Sequence, residues 1–474
     1  MSTACSLPVP NSTLPFWRTE LHELDSHRGS TDLPAETDVV IIGAGFTGAA
    51  FAHYLYKDNP SPPSVTILEA REACSGATGR NGGHVRPNVY LKLPGLIKKY
   101  GLDAALEAAR FEIAQLAAVK DLVETEKIDC EFTLARTCDV MLDEGLAREG
   151  QAAFDELVRS GVADLSDVQF ITPPKRAERV CGVKGAQACC TFPAAHVWPY
   201  KLVMHLLAGA VSRGANLQTH TPVTAITDEP LLVPGSSNSS SSSSSGSNGR
   251  RWRVTTPRGT VVANKVLLAT NGYTAHVAPQ FADHIVPVRG ICSHIQVPAD
   301  RVAPFLPQSY GLRYGPALYD YLIPRNDGSI VVGGARSRFW HDRTHWYGVT
   351  DDSKLIEPGA PYFDGLMQRT FIGWENSDAY TNKVWTGIMG YSSDSLPYMG
   401  EVPDKPGQFI VAGFSGHGMP LILLSAKGIA QMVKDGTPFE KTGVPALFKA
   451  TKERLASTKN DIIKGHDAVF TTKL

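Results

Sequence analysis

The chain has no excess of charge of either sign. Its 474 residues carry 46 Lys and Arg against 47 Asp and Glu, a formal net charge of −1. Nucleic acids and anionic membranes are met by basic surfaces, so neither is expected as a partner. Cysteine is scarce: there are eight, none spaced Cys-x-x-Cys, with Cys189 and Cys190 adjacent. That excludes a disulfide scaffold and the common zinc and thioredoxin spacings, and no metal site is expected. Buried or idle thiols in a reducing compartment fit better. No apolar run nears the ~18 residues of a membrane span. Residues 1–20 lack the apolar stretch of a secretory signal, so the sequon Asn11-Ser12-Thr13 is expected to stay unmodified. These absences point to the cytoplasm. The terminal Thr472-Lys473-Leu474 comes close to the Ser-Lys-Leu peroxisomal address but departs at its first position, which keeps a peroxisomal location open. Glycine, by contrast, is abundant. It supplies 43 of 474 residues, about 9% against a usual ~7%, so its placement becomes the question.

At ~150 residues per domain the length allows more than one domain. Residues 1–37 read as a polar arm pinned by Trp17. Residues 38–42 form an apolar run typical of a buried parallel strand. A glycine loop, a helix over 47–57 and a second buried strand over 65–68 complete a strand–helix–strand unit. Leu106, Ala109, Ile113, Leu116, Val119 and Val123 recur at helical steps through 102–127. Further helices are expected over 144–159 and 200–213, and a strand over 216–227. Residues 235–249 are nearly all serine and cannot bury apolar surface, so a disordered loop is expected between the arms of a hairpin. Residues 287–334 read as β-rich, with strands at 319–324 and 329–332 about a turn at Asn326-Asp327-Gly328. A helix is expected over 360–376, a strand over 409–412 and a helix over 419–433.

Gly43-Ala44-Gly45-Phe46-Thr47-Gly48 is G-x-G-x-x-G, between a strand and a helix. The first glycine makes the turn, the second admits a pyrophosphate and the third lets helix and strand pack closely. The helix N-terminus adds positive dipole for the phosphates. Glu69 ends the second strand, where a carboxylate can hold the adenosine ribose and disfavour a 2′-phosphate. The run from Arg71 to His84 is rich in Gly, Ser and Thr, with small side chains over which an extended dinucleotide and a flat ring can lie. That favours FAD over NAD. A second cluster, Gly413 to Met419, offers amides that could stabilise negative charge on the flavin. From these loops the expected cofactor contacts are Gly43, Gly45, Phe46, Thr47 and Gly48, then Glu69, Ala70 and Arg71. Next come Ser75, Thr78, Arg80, Asn81, Gly82 and Gly83, and last Gly413, Ser415, Gly416, His417, Gly418 and Met419.

Four stretches now resemble the D-amino-acid-oxidase-like superfamily of FAD oxidoreductases. They are residues 38–48, Ala77-Thr78-Gly79-Arg80-Asn81-Gly82-Gly83-His84, Leu268-Ala269-Thr270-Asn271-Gly272-Tyr273 and the 413–419 cluster. The Gly-Arg-Asn-Gly-Gly form and the aromatic arm at Phe16 and Trp17 most resemble the γ-glutamylputrescine oxidoreductase branch, beside the glycine oxidase and sarcosine oxidase branches. The resemblance implies an α/β fold with an α+β substrate part: a Rossmann-like FAD-binding βαβ domain interleaved with an antiparallel-sheet substrate domain. Expected boundaries are 1–37 for the arm, 38–130, 190–285 and 376–445 for the FAD-binding domain, 131–189 and 286–375 for the substrate domain, and 446–474 for a tail. The resemblance adds Val223, Thr270, Asn271 and Gly272 to the cofactor contacts, with Val223 beside the adenine. It implies dehydrogenation of a C–N bond in a small amine or amino-acid-like substrate, by hydride transfer to flavin N5.

Three departures qualify this. Residues 385–400 contain no cysteine, so the FAD is expected to be non-covalent. Residues 385–390 contain no arginine to grip a substrate carboxylate in the family's usual way. Residues 313–353 contain no lysine to assist oxygen, so the electron acceptor stays open between oxygen and another oxidant. His84, Tyr321 and His417 are the candidate catalytic residues. Each has a plainer alternative: a structural hydrogen bond for the histidines, a core aromatic for the tyrosine. Tyr319 shares a strand face with Tyr321. Arg289 and Arg336 are candidate anion grips, with surface ion pairs as the alternative. His341, Asp342 and His345 read as a solvated loop. Two other functions stay open: FAD-dependent dehydrogenation of a specialised-metabolite intermediate at a C–C or C–O bond, and a flavin-holding binding protein with little turnover.

Overall fold

The computed structural model describes residues 6–161, 163–230 and 250–470. The Ser-rich stretch 235–249 and the terminal tripeptide lie outside these residues. Two sheets organise the chain. The first is built about strand Glu36–Ile42, whose Val40 and Ile41 are fully buried, which is why the segment shows no polar alternation. It runs parallel to Val65–Leu68 on one side and Gly259–Leu268 on the other. Gln408–Ala412 and Asn216–Gln218 extend the parallel set in the two directions. Ala225–Pro230 and Arg250–Thr256 pair antiparallel, and the latter joins Gly259–Leu268. Helix Phe46–Tyr56 follows the first strand and packs against helices Pro199–Ser212 and Ile422–Asp435.

The second sheet orders Tyr380–Ser392, Ile285–Gln296, Ile330–Gly333, Leu318–Pro324, Ser309–Gly315, Thr133–Met141, Ala188–His196 and His84–Val85. Its pairs are antiparallel except Ser309–Gly315 with Thr133–Met141. Three of these strands fall in segments assigned from sequence to the other part of the molecule. Tyr380–Ser392 pairs along its whole length with Ile285–Gln296, and Ala188–His196 with Thr133–Met141. Alternation fixes which face a side chain takes, but not which strand lies alongside.

Other expectations shift for local reasons. The expected helix over 360–376 is only a 3₁₀ turn, Ala360–Phe363, and a short helix, Leu366–Thr370, broken by Gly365 and Gly373 at positive φ. The expected strand over 216–227 is interrupted at His220, held at φ 50°. In helix Leu102–Glu126 the expected Ala109, Val119 and Val123 are buried, but the stripe is broader and shifted at its middle. Ile113 is 48% exposed, while Glu112 and Gln115 are buried. The arm is pinned as expected. Trp17 is buried, and its indole N–H donates to the Asn81 carbonyl at 2.6 Å. All seven described cysteines are free and buried. Among the described residues no helix is long and apolar enough to cross a membrane.

Candidate active site

Residues from both sheets line one cavity of about 890 Å³, within the usual range for a cofactor or ligand site. The first-sheet part is made largely of backbone. Gly43 sits at φ 108° where the first strand turns, and Gly45 caps the helix without a side-chain bond. The Phe46 N–H goes to Thr78 Oγ1 at 3.2 Å, and the other first-turn amides have no partner within the helix. An anion there completes them. Glu69 accepts from the Ala44 and Arg71 amides at 2.8 and 3.0 Å, tying the glycine loop to the end of the second strand. Asn271 accepts from the Gly413 amide at 3.1 Å, which joins two glycine clusters far apart in sequence.

Gly43, Gly45, Phe46, Thr47, Glu69, Ala70, Arg71, Thr78, Arg80, Asn81 and Gly82 all line this cavity. So do Val223, Thr270, Asn271, Gly272, Ser415, Gly416, Gly418 and Met419. Four expected contacts stand behind it. A Cβ on Gly48 would lie 2.0 Å from the Gly43 carbonyl, so this glycine serves helix–strand packing. The Gly83 amide donates to Asn81 Oδ1 at 2.7 Å, and its carbonyl accepts from the Val197 amide at 2.9 Å. Ser75 is buried, its carbonyl accepting from Arg71 and Arg80. Gly413 is held by Asn271. The two arginines do more structural work than expected. Arg71 binds the fully buried Asp352 at 2.9 and 3.0 Å, and Arg80 lies 3.4 Å from it. Arg80 also donates to the carbonyls of Thr13 and Thr386 at 2.7 and 2.8 Å. Their donors hold the N-terminal arm and the loop at Asp352 against the site.

Side chains build the second-sheet part. Tyr321 lies between Gly82 and Gly333, where a Cβ would come within 2.2 and 2.3 Å of it. Its ring centroid is 6.4 Å from those of both His84 and Tyr319. Burial, aided by Arg86 and neighbouring histidines, holds His84 well below the ordinary imidazole range. Its Nε2 is buried without a hydrogen-bond partner. That orphaned atom, in a cavity lined by bare glycine backbone, fits a polar edge of a flavin. His417 Nε2 lies 2.6 Å from Glu112 Oε1. Burial alone would raise the Glu112 carboxyl, but Lys92 and His417 outweigh it and hold it down to about 2. Burial and Lys92 hold His417 below its ordinary value despite Glu112. A neutral His417 in this contact donates from Nε2 to the carboxylate and keeps Nδ1 as the acceptor.

Behind this wall Asp139 is fully buried. It takes the Tyr90 hydroxyl at 2.8 Å, Arg313 at 3.1 Å and Arg86. Arg336 lines the cavity, whereas Arg289 does not. Arg289 spends its donors on the carbonyls of His345 and Asp351. Asp342 caps the Thr344 amide at 2.9 Å in a short 3₁₀ turn, and no group of three or more potential metal ligands occurs among the described residues. Sequence reasoning missed Glu112, Lys92, Asp139, Arg86 and Arg313. Glu112 sits in an apolar helix face, which is the one signal that could have marked it.

A model of the DAO family, FAD dependent oxidoreductase, matches residues 38–432. The chain belongs to this family. As an FAD-dependent oxidoreductase it has bacterial relatives. γ-Glutamylputrescine oxidoreductase of Escherichia coli (strain K12) is 23% identical over 84% of this chain and 83% of that one. Sarcosine oxidase subunit beta of Rhodobacter capsulatus is 22% identical over 84% and 85%. The crystal structure of glycine oxidase from Geobacillus kaustophilus shares the fold, with a TM-score of 0.67 at 22% identity over 88% of this chain and 99% of that one. FAD is thus the cofactor of this oxidoreductase, and the glycine loops and the orphaned His84 nitrogen are consistent with it.

Proposed function

We propose that this flavoenzyme dehydrogenates a C–N bond of a small amine or amino-acid-like substrate, with FAD held non-covalently. The observation that carries the reading is the contact of His417 Nε2 with Glu112 at 2.6 Å, in the wall of the same cavity as the glycine loops. An amine loses hydride readily only when unprotonated, so the site needs a base that can take a proton at neutral pH. His417 Nδ1 is that base in this reading, with Tyr321 and His84 shaping the chamber. Bound FAD supplies the two-electron oxidant. The protein's part is to bind, orient and dry the substrate and to hold the proton. Two domains are part of this proposal, one about each sheet, with Tyr380–Ser392, Ala188–His196 and His84–Val85 on the substrate side. The named relatives are bacterial and lend no support to a peroxisomal or a cytoplasmic reading.

The test is anaerobic. Purified protein is expected to be yellow, to release its flavin on acid precipitation, and to bleach when mixed with amines from a broad panel. Flavin that stays with the precipitated protein sinks the non-covalent assignment. If no amine or amino acid bleaches it while an alcohol or an alkane acid does, the C–N assignment fails.

A further inference from the structure

The charges around the reacting end of the cavity do not balance. Arg86, Lys92, Arg313 and Arg336 all line it. Among the described residues two buried carboxylates pair with them: Asp139, shared by Arg86 and Arg313, and Glu112, beside Lys92 at 3.7 Å. Of the other lining cations, Arg71 and Arg80 stand at the first-sheet end, where Glu69 also lines the wall. They share Asp352, and Lys99 binds Asp461 at 2.8 Å. Two positive charges are left over in a partly enclosed space, which is costly unless a ligand answers them.

Arg336 is the clearest case. Among the described residues no carboxylate lies within ion-pair distance of it. It donates to the Tyr391 hydroxyl at 2.6 Å and, weakly, to the Ala317 carbonyl at 3.4 Å. Its guanidinium lies over Tyr319 and Trp340, 4.4 and 4.1 Å from the ring centres. The aromatic faces hold the plane and leave donors on its edge for a flat two-oxygen acceptor. The backbone is bent to put it there. Ala335 sits at φ 56°, its amide held by buried Asp320 at 2.8 Å, and a Cβ on Gly334 would strike Asp320. A strained turn fixed by a buried carboxylate is the mark of a positioned side chain. Arg313 also stands near Tyr319, 5.9 Å from the ring centre.

We propose that the substrate is a dicarboxylate amine, one carboxylate being gripped by Arg336 and the other drawn to the Arg313–Arg86 pair. This rests on the C–N reading above and narrows it. Diamines and other polycations are excluded by the same surplus. The absence of arginine from residues 385–390 then means that the grip has moved to Arg336.

The test separates binding from chemistry. The holoenzyme is titrated with malonate, succinate and glutarate, with acetate and propionate, with inorganic phosphate, and with 1,4-diaminobutane, following the flavin spectrum. At least one diacid should bind about 10-fold more tightly than the monoacids, and the diamine should not bind. Arg336→Gln should keep its flavin and bind that diacid about 30-fold more weakly, with Arg336→Lys between. Equal binding of mono- and diacids, tighter binding of phosphate, binding of the diamine, or an unchanged Arg336→Gln each overturns the proposal, and the wild-type arms decide even if the variants fail to fold. Anaerobic mixing with iminodiacetate and glutamate completes it. Diacid binding without bleaching by any amine keeps the anion site and sinks the C–N reading. Bleaching by uncharged amines without diacid binding does the reverse.

Discussion

The two parts of the cavity are built on different principles. In the first-sheet part the wall of the cavity is rich in bare glycine backbone, and its charged side chains are closed into pairs such as Arg71–Asp352. In the second-sheet part the surface is side chain: tyrosines, histidines and arginines drawn from strands hundreds of residues apart. A backbone site tolerates no added bulk, because the close approach is itself the binding. A side-chain site tolerates exchange, but its chemistry depends on charge. Damage to the first part should therefore empty the enzyme of flavin, and damage to the second should leave it yellow and slow.

The largest effect tests the first half of that statement. In Gly48→Val the new Cβ would lie 2.0 Å from the Gly43 carbonyl, a backbone atom that cannot step aside. The variant should be recovered in low yield with almost no flavin, read as the flavin-to-protein absorbance ratio. A yellow, soluble Gly48→Val would mean that the close packing of helix on strand is not what keeps the glycine loop in its binding shape. Asp352→Asn comes next. It strands Arg71 and Arg80 without their buried counter-charge, at a cost of about 3–5 kcal/mol. Thermal melting should drop sharply and flavin occupancy with it, because the same two arginines anchor the arm.

This contrast also explains what could be read in advance. The strand–helix–strand unit, the glycine loop and Glu69 are local in sequence, and their spacing is the geometry. The hairpin about the serine stretch was legible for the same reason. The reacting end was not. Asp139 is one residue of a strand whose partners are Tyr90, Arg313 and Arg86, and nothing in their spacing joins them. Glu112 was hidden by an apolar pattern that pointed to Ile113. Arg71 and Arg80 line the cavity, but their bonds to Asp352, which is 281 residues from Arg71, have no signal in the sequence.

The second half of the comparison is sharpened by Glu112→Gln. Flavin content should be unchanged, while the rate of anaerobic flavin reduction falls roughly 100-fold. Glu112 favours the protonated form of His417, so its removal should move the acidic limb of the kcat/KM profile to lower pH. A merely structural Glu112 would slow the enzyme or unfold it without moving that limb.

The smallest expected effect is on acid stability, and it too divides the molecule. His53, His196 and His294 are each held down to about 4, chiefly by burial, and His84 well below its ordinary value. Their unfolded value is about 6.5, so below that pH the unfolded chain binds protons that the folded chain refuses. Stability is therefore present above about pH 6.5 and is lost as the pH falls toward 4. Three of the four histidines belong to second-sheet strands, namely His84, His196 and His294, while His53 lies on the helix that follows the first strand. Amide hydrogen exchange at about pH 5 against about pH 7.5, corrected for intrinsic rates, should show protection falling first in Ala188–His196 and Ile285–Gln296. Glu36–Ile42 and Val65–Leu68 should hold longer. Equal loss in both sheets would show that they unfold as one unit, and that the division of labour in the cavity does not extend to stability.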